Sequence, residues 1–301
     1  MLKKEYFCTV AVALLLAGCG EQVQKPLPIC PGKQSAADAL SVLQSHLQNA
    51  WPLKASGSCV LQYYADGKQR AERFPVKLWL NPPQELFLQG DVAFDPQGVV
   101  LGTNQDEFWL AIRLKEVSSY WWGRWQETGQ FNQLVIDPKM MLEGLGIPAL
   151  DSDKSEDWSF TKQGAFDVLT TRSDQAVPAK GPRSAGTKRI HIYSCDYLVR
   201  KIEYLDARGQ AAVVAELDKY EQVRQDFFVP AIVKIIHRGA SAAESVTITV
   251  TLTSVKSADI TSKLRTYLFT RPEPKGFKHI YRVLGGRVIE EQPETTDERQ
   301  G

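Results

Sequence analysis

Hydrophobic and polar residues alternate with a period of two along most of this chain. The clearest case is SVTITVTLTSV, in which Val246, Ile248, Val250 and Leu252 alternate with threonines. A period of two places the apolar set on one face of a β-strand and the threonines on the other. Similar runs, separated by short turn segments, recur from residue 56 onward. The pattern predicts about eleven or twelve strands in an antiparallel meander.

Two segments follow a helical period instead. Apolar residues in 35–51 recur at the i, i+3, i+4 spacing of an amphipathic helix, and Ser35 is placed to cap it. A short helix is predicted in the middle of the chain at DPKMMLEGLGI. There Pro138 takes the first helical position, and Gly144 or Gly146 ends the helix. No shift in composition divides the chain, so we expect one mainly β domain with these two helices.

The N-terminus carries the pattern of a bacterial lipoprotein signal. Lys3 and Lys4 precede an uncharged, mostly apolar run at 6–16, which is too short to span a bilayer. The run ends in LAGC, with Cys19 at the position that receives a diacylglyceryl group in lipoproteins. Several acyl chains form a stable membrane anchor. Gly20 stands where an Asp would favour retention at the inner membrane, so we expect an outer-membrane lipoprotein facing the periplasm.

These patterns predict four segments along the chain. Residues 1–18 form a signal peptide, and residues 19–34, which are rich in proline and polar groups, form a tether. The domain extends over residues 35–284. Residues 285–301 are strongly polar and are predicted to be a disordered tail.

Composition and motifs exclude several classes of protein. The chain has 36 basic and 35 acidic residues, a net charge of +1, and these charges are interspersed, which argues against a nucleic-acid partner. No nucleophile elbow, zinc-protease motif or phosphate-binding loop occurs, so no enzyme, metal site or cofactor is expected. The stretch at 151–157 begins like a calcium loop, but Glu156 replaces the glycine that such a loop needs.

Three cysteines remain once Cys8 is removed with the signal peptide and Cys19 is acylated. Outside the cytoplasm a pair of them is expected to be oxidised. Our preferred pair is Cys30 with Cys59, a loop that is worth roughly 3 kcal/mol in the chain-entropy model. A bridge between Cys59 and Cys195 is the alternative, and three free thiols are the third possibility.

Four stretches in order resemble the LolA/LolB-like lipoprotein-localisation superfamily. They are AADALSVLQSHLQ, FPVKLWLNPPQELFLQG, GTNQDEFWLAIR with SYWWGRW, and SKLRTYLFTRPEPKGFKHI, which together extend over about residues 35–280. The resemblance implies a strongly curved, incompletely closed β-barrel whose two helices pack on the concave face. It also implies a non-enzymatic carrier or acceptor that binds a lipid or an acylated polypeptide in an apolar cavity. The alternative is an interaction or sensor module of the same fold, with a closed core and a protein partner.

The segment SYWWGRW concentrates aromatic side chains that could line such a cavity. Strand alternation sends Trp121 and Trp125 to one face and Tyr120 and Trp122 to the other. In the central helix, two methionines would act as flexible plug residues. The candidate cavity-lining residues are Leu78, Leu80, Leu110, Ile112, Trp122, Met140, Met141, Ile248, Val250 and Leu252.

Replacing Cys19 tests the predicted anchor. The substitution Cys19→Ser removes the thiol that would carry the diacylglyceryl group, so the protein should leave the membrane fraction and lose the mass of the attached lipid. Fractionation and intact-mass measurement of wild type and variant check this. A variant that stays in the membrane fraction with the lipid mass unchanged would contradict it.

Overall fold

The computed structural model describes residues 27–65, 67–92, 95–114, 117–127, 138–148, 150, 156–176, 185–239 and 245–291. Cys19 and the signal segment lie outside these ranges. The described α-helices are α1 (Ala36–Gln48), α2 (Pro138–Gly144) and α3 (Ser262–Phe269). The described strands are β1 (Leu53–Ala65), β2 (Lys68–Asn81), β3 (Glu85–Val92), β4 (Asp95–Thr103), β5 (Glu107–Arg113), β6 (Ser118–Arg124), β7 (Ser159–Gln163), β8 (Phe166–Ala176), β9 (Ala185–Tyr193), β10 (Val199–Leu205), β11 (Ala211–Arg224), β12 (Phe227–His237), β13 (Val246–Ser257), β14 (His279–Leu284) and β15 (Arg287–Glu291).

All fifteen described strands belong to one sheet. Their order is β15-β14-β6-β5-β4-β3-β2-β1-β13-β12-β11-β10-β9-β8-β7. One half is the meander β1 to β6, the other is the meander β7 to β13, and antiparallel pairing of β1 with β13 joins them. The predicted fold class, a mainly β, open and curved sheet with an N-terminal helix and a short central helix, is confirmed.

The order of the strands explains why a helix lies within the curve. Strands β6 and β7 follow each other along the chain but lie far apart in the sheet, with eleven strands between them. Part of the connection between them, residues 138–144, packs against both halves of the sheet. Helix α2 lies on this connection and contacts β4 in one half and β11 and β12 in the other.

The main apolar core lies on the concave face of the sheet. Phe74 on β2, Ile190 on β9 and Val283 on β14 belong to a single cluster of contacting buried side chains. Strands so far apart in the order can share one core only if the sheet curves around it. Helix α1 contributes its own apolar stripe to this cluster, through Leu40 and Leu43. The concave face therefore forms the interior of an incomplete barrel.

Helix α1 forms as its sequence predicts. The hydroxyl of Ser35 accepts a hydrogen bond from the backbone N–H of Asp38 at 3.1 Å, and it donates to the Asp38 carboxylate at 2.8 Å. This N-cap satisfies one of the backbone donors that a helix start leaves free. The helix ends at Gln48, four residues before Pro52.

The C-terminal part of the chain differs from the expectation. Residues 262–269 form helix α3, which packs on β3 and β4 and buries Leu268 and Phe269 in a second apolar cluster on the outer face. The chain then adds β14 parallel to β6, so the sheet is not wholly antiparallel. Strand β15 pairs with β14 at residues assigned to the polar tail, so that boundary at 285 was wrong. With these two, the described strands number fifteen, against the predicted eleven or twelve.

The cysteine pairing differs from both predicted bridges. The disulfide joins Cys30 to Cys195 in the turn between β9 and β10. Cys59 is a free thiol, 2 % exposed, within the main core. The Cys59 side chain lies on the concave face of the sheet, within the main core. No other cysteine of the described chain lies there to form a disulfide with it. The predicted Cys30–Cys59 bridge and its alternative, Cys59–Cys195, are therefore both wrong.

The disulfide is one of several contacts that fix the segment ahead of α1 to the sheet. The backbone N–H of Lys33 donates to the Asp167 carboxylate at 2.7 Å, and the Lys162 ammonium donates to the carbonyl oxygen of Pro31 at 2.6 Å. Gly32 has a φ of +63°, and a Cβ atom there would lie 2.5 Å from the Asp167 carboxylate. Residues 30–33, predicted as part of a free tether, are therefore attached to the domain.

No helix in the described part of the chain has the length and apolar character needed to cross a bilayer.

Thiol mapping tests the observed bridge. Burial raises the pKa of the Cys59 thiol to about 12, so at pH 8 only about one molecule in ten thousand carries a reactive thiolate. Native protein treated with iodoacetamide at pH 8 should keep Cys59 unmodified and yield a peptide pair that links Cys30 to Cys195. Unfolding in denaturant without reductant should expose Cys59 alone. A Cys59 that reacts in the native state, or that is recovered in a bridge, would contradict this arrangement.

Candidate functional site

The concave core gathers nine of the ten residues predicted to line a cavity. They come from β2, β5, β13 and α2, and each is at most 5 % exposed. All of them belong to the main apolar cluster: Leu78, Leu80, Leu110, Ile112, Met140, Met141, Ile248, Val250 and Leu252. Their convergence follows from the register of the strands, because cross-strand neighbours share a face and alternate residues follow them.

Trp122, the tenth candidate, lies on the opposite face. Its indole packs against the outer cluster and donates a hydrogen bond to the Glu291 carboxylate at 2.9 Å. Leu110 of β5 pairs with Trp121 of β6, so Trp121 shares the concave face with Leu110 and its neighbour Trp122 does not. The choice of Trp122 was wrong because the register of β5 against β6 was not known from the sequence.

The C-terminal segment covers the outer face around the aromatic strand. The Tyr120 hydroxyl donates to the carbonyl oxygen of Pro272 at 2.7 Å. The Arg271 guanidinium lies 4.1 Å from the centre of the Trp122 ring and pairs with the Glu107 carboxylate at 2.9 Å. These contacts fix the chain over strands β5 and β6. The outer half of SYWWGRW therefore contacts the protein's own C-terminal segment.

Among the described residues, buried apolar side chains of the sheet, α1 and α2 contact one another across the concave face. A small pocket lies between the end of α1 and the turn after α2, with a volume of about 20 Å³. Sites that hold small molecules usually measure about 300–1,000 Å³. This pocket would hold an acyl chain only if a covering helix moved. The pocket is lined mainly by apolar side chains, among them Leu43, Leu47, Ile147, Leu198, Phe227 and Phe228.

Helix α2 is the smallest element that covers the concave face. Six of its seven residues are buried. The helix lies between β6 and β7 in the chain, and these two strands are not neighbours in the sheet. Gly144 lets α2 approach β12 closely, because a Cβ atom at that position would lie 2.6 Å from the Val233 side chain. Met140 and Met141, each 1 % exposed, fill the space beneath the helix. An unbranched methionine fits many cavity shapes, which suits a helix that acts as a removable plug.

A buried polar cluster attaches α2 to the sheet. The Glu143 carboxylate on α2 accepts hydrogen bonds from the Lys188 ammonium on β9 and from the Tyr204 hydroxyl on β10, each at 2.7 Å. Lys188 and Tyr204 are directly opposite each other in the pairing of β9 with β10. Glu143 is 1 % exposed, Tyr204 3 % and Lys188 5 %. The three groups therefore meet away from water, within an otherwise apolar core.

Burial also affects the ionisation of Lys188. Loss of solvent lowers the pKa of the Lys188 ammonium, and the adjacent Glu143 carboxylate opposes that change. A buried charge without a counter-charge is unfavourable by several kcal/mol. The ammonium and the carboxylate consequently depend on each other, and α2 cannot leave the sheet without separating them.

The sequence contained one signal for this cluster that we did not use. Glu143 is the only charged residue in MMLEGLGI, and an acidic side chain in such a run must either face water or find a partner. Lys188 and Tyr204, which donate hydrogen bonds to it, lie 45 and 61 residues away, too far along the chain for a local sequence pattern to identify them.

Within the described ranges, no three His, Cys, Asp or Glu side chains come together as they would at a metal site.

A similar fold occurs in known structures. An outer membrane lipoprotein-sorting protein domain from Vibrio parahaemolyticus superposes with a TM-score of 0.50 at 11 % identity, covering 76 % of this chain and 96 % of that one. A LolA superfamily protein from Nitrosomonas europaea superposes with a TM-score of 0.46 at 12 % identity, covering 79 % of this chain and 99 % of that one. No family model and no curated protein matches the sequence. The chain thus shares its fold with the Vibrio domain, and similarity this low in sequence extends to the fold alone.

A double-mutant cycle tests the attachment of α2. Glu143→Gln and Lys188→Met should each lower the free energy of unfolding by about 3–5 kcal/mol, since each removes one partner of a buried ion pair. The double variant should lose much less than the sum of the two single losses. Urea unfolding followed by circular dichroism measures all four proteins. Lys234→Met, which breaks an exposed pair with Glu216, is the matched control and should change stability by about 1 kcal/mol or less. Additive losses in the cycle would mean that the two side chains do not depend on each other.

Proposed function

We propose that this protein is a membrane-anchored lipoprotein of the bacterial cell envelope that binds a lipid or an acylated polypeptide on its concave face, as a carrier or acceptor. The observation that carries the proposal is the plug: a short, almost wholly buried helix covers an apolar face that the sheet alone leaves open. Exchange of plug side chains for an acyl chain keeps the apolar surface out of water, so its net hydrophobic free energy is small. The proposal includes no catalytic residue.

Anchoring at Cys19 would restrict where the domain can act. Only ten residues lie between Cys19 and Cys30, which is joined to the sheet by the disulfide. An extended chain of that length covers at most about 40 Å. A lipid-anchored domain would therefore stay within about 40 Å of the bilayer surface, close enough to exchange acyl chains with it. A disulfide that closes this segment also suits an oxidising compartment such as the periplasm.

A second candidate function is favoured by the burial of α2 against the sheet. The pocket beside α1, of about 20 Å³, is far smaller than an acyl chain, and α2 is attached by a buried ion pair. These features suit an interaction or sensor module with a closed core that binds a protein partner at the envelope. The two candidates differ in whether α2 leaves the concave face when ligand is present.

The substitution Met141→Ala, which weakens the packing beneath α2, distinguishes the two candidate functions. Met141→Ala removes side-chain volume beneath α2 and should lower stability by about 2–5 kcal/mol. If the closed conformation competes with lipid, this change should also tighten binding of a fluorescent fatty acid by about tenfold or more, because less free energy is needed to open the site. Fluorescence titration measures the affinity, and circular dichroism establishes that each protein is folded.

The matched control is Leu268→Ala, which removes a buried side chain from the outer cluster. It should destabilise the protein by a similar amount and leave fatty-acid affinity unchanged. Absence of saturable binding by folded wild type and folded Met141→Ala would contradict the carrier proposal and leave the closed-core module as the better account.

A further inference from the structure

The segment that follows Cys19 in the chain joins the sheet at one particular end. Cys30 is bridged to Cys195 in the turn between β9 and β10, and the Tyr193 hydroxyl beside that turn donates a hydrogen bond to the carbonyl oxygen of Pro28 at 3.2 Å. Alternate turns of an antiparallel meander lie at the same end of a sheet, so the turn between β11 and β12 also lies here. We term this end of the sheet the anchor end.

The pocket beside α1 lies at the anchor end. Its lining includes Leu198, three residues after Cys195, and Phe227, the first residue of β12. Ala50, between α1 and β1, lines it from the other side. Strand β1 also begins at this end, because Leu53 pairs with the last residue of β13. The pocket is therefore bounded by the turn that holds the disulfide and by the segment that leads into β1.

Exposed apolar side chains flank this pocket on both sides. Ile29, directly ahead of the disulfide, is 75 % exposed, and Leu27 is 54 % exposed. Trp51, which directly follows Ala50, is 42 % exposed, and the Arg224 guanidinium lies 4.0 Å from the centre of its ring. An indole beside a guanidinium suits the level of lipid head groups, because the indole is amphipathic and the guanidinium binds phosphate.

We propose that the anchor end docks on the surface of the lipid bilayer, with Leu27, Ile29 and Trp51 at the level of the head groups and the pocket beside α1 directed towards the acyl chains. The inference rests on the anchoring at Cys19 that the proposed function includes, and it adds the orientation of the domain. The ten residues between Cys19 and Cys30 would keep this end within about 40 Å of the bilayer. Contact would then form within one anchored molecule at a high effective concentration, so a small apolar surface suffices.

The charges around the pocket are of both signs. Asp196 and Asp226 both act on His46, which lines the pocket, and Asp196 pairs with Arg200. Arg224 stands two residues before Asp226 in the chain. The contact should therefore be mainly apolar. It should form on uncharged phosphatidylcholine and persist at high salt, because dissolved ions screen charge pairs and leave apolar contacts in place.

Fluorescent labels at the two ends of β1 test this orientation. Trp51→Cys places a thiol at the anchor end, and Tyr64→Cys places one near the far end of the same strand. The two native side chains are similarly exposed, at 42 % and 37 %. A strand of 13 residues separates the two positions by about 40 Å. Cys59 is buried and should not react in the native protein, so a nitrobenzoxadiazole label marks the introduced thiol alone.

Each labelled full-length lipoprotein is reconstituted in phosphatidylcholine vesicles with and without a lipid that carries a nitroxide on its acyl chain. The nitroxide quenches a label only where the label lies in the bilayer. The label at position 51 should lose most of its emission, and the label at position 64 should keep it. Intact mass and flotation with the vesicles establish separately that each protein carries lipid and is anchored.

Two substitutions away from the label test the apolar surface. Leu27→Ser/Ile29→Ser, combined with the label at position 51, should reduce the quenching, because two of the three docking side chains are then polar. Val117→Ser is the matched control. It removes an exposed apolar side chain from the turn between β5 and β6, at the far end of the sheet, and should leave the quenching unchanged.

The outcomes distinguish the docking surface from the anchor on which it rests. Lipidated protein that floats with the vesicles while both labels keep their emission would overturn the docking and leave the anchor in place. The anchor end would then be available to a protein partner. Equal quenching at positions 51 and 64 would also overturn it, because the domain would have no fixed orientation. A protein without attached lipid would contradict anchoring at Cys19, and the docking with it.

Discussion

A sheet that curves without closing leaves an apolar concave face that it cannot cover by itself, and the other features of this protein follow from that constraint. The two meanders join at β1 and β13, and their side chains converge on one core. Because β6 and β7 lie far apart in the strand order, the chain must cross the sheet between them, and the crossing places α2 against the core. Helix α1 covers a further part, and the disulfide from Cys30 to Cys195 fixes the segment that leads into it.

The means by which α2 is held has consequences for function. A plug held only by apolar contacts could be replaced by any hydrocarbon chain, since such contacts have little directional preference. The Glu143 carboxylate adds an interaction that is specific in charge and geometry. Buried ion pairs add little net stability compared with apolar packing, but breaking one side of the pair is strongly unfavourable. The cluster therefore adds directional polar contacts to the apolar packing that holds α2 on the sheet.

Local patterns predicted the elements of this fold well, and long-range pairings poorly. The alternation in β13 and the Ser35 cap of α1 depend on neighbours a few residues apart, so they can be identified from the sequence. The placement of Trp122 depends on how β6 registers with β5, and a shift of one residue reverses the face. The partner of Cys30 is 165 residues away, and no periodicity contains that information.

The sequence also contained a signal for helix α3 on the outer face, and the sequence analysis did not use it. Thr261 caps α3, and the helical spacing of Ile260, Leu264 and Leu268 matches their contact with the outer cluster. The sequence SKLRTYLFTRPEPKGFKHI was interpreted only through its resemblance to the superfamily, so its helical period did not enter the prediction. The parallel pairing of β14 with β6 could not have been predicted in this way, because it depends on where α3 carries the chain across the sheet.

The function proposed for α2, a plug that ligand displaces, can be tested by hydrogen exchange of the backbone amides with and without a saturating concentration of the fatty acid dodecanoate. Amides in residues 139–144 should lose protection when the ligand binds, while those in β1 and β13 should keep it. Unchanged or increased protection of α2 in a protein shown to be saturated with ligand would contradict the claim, because the helix would then have remained in place.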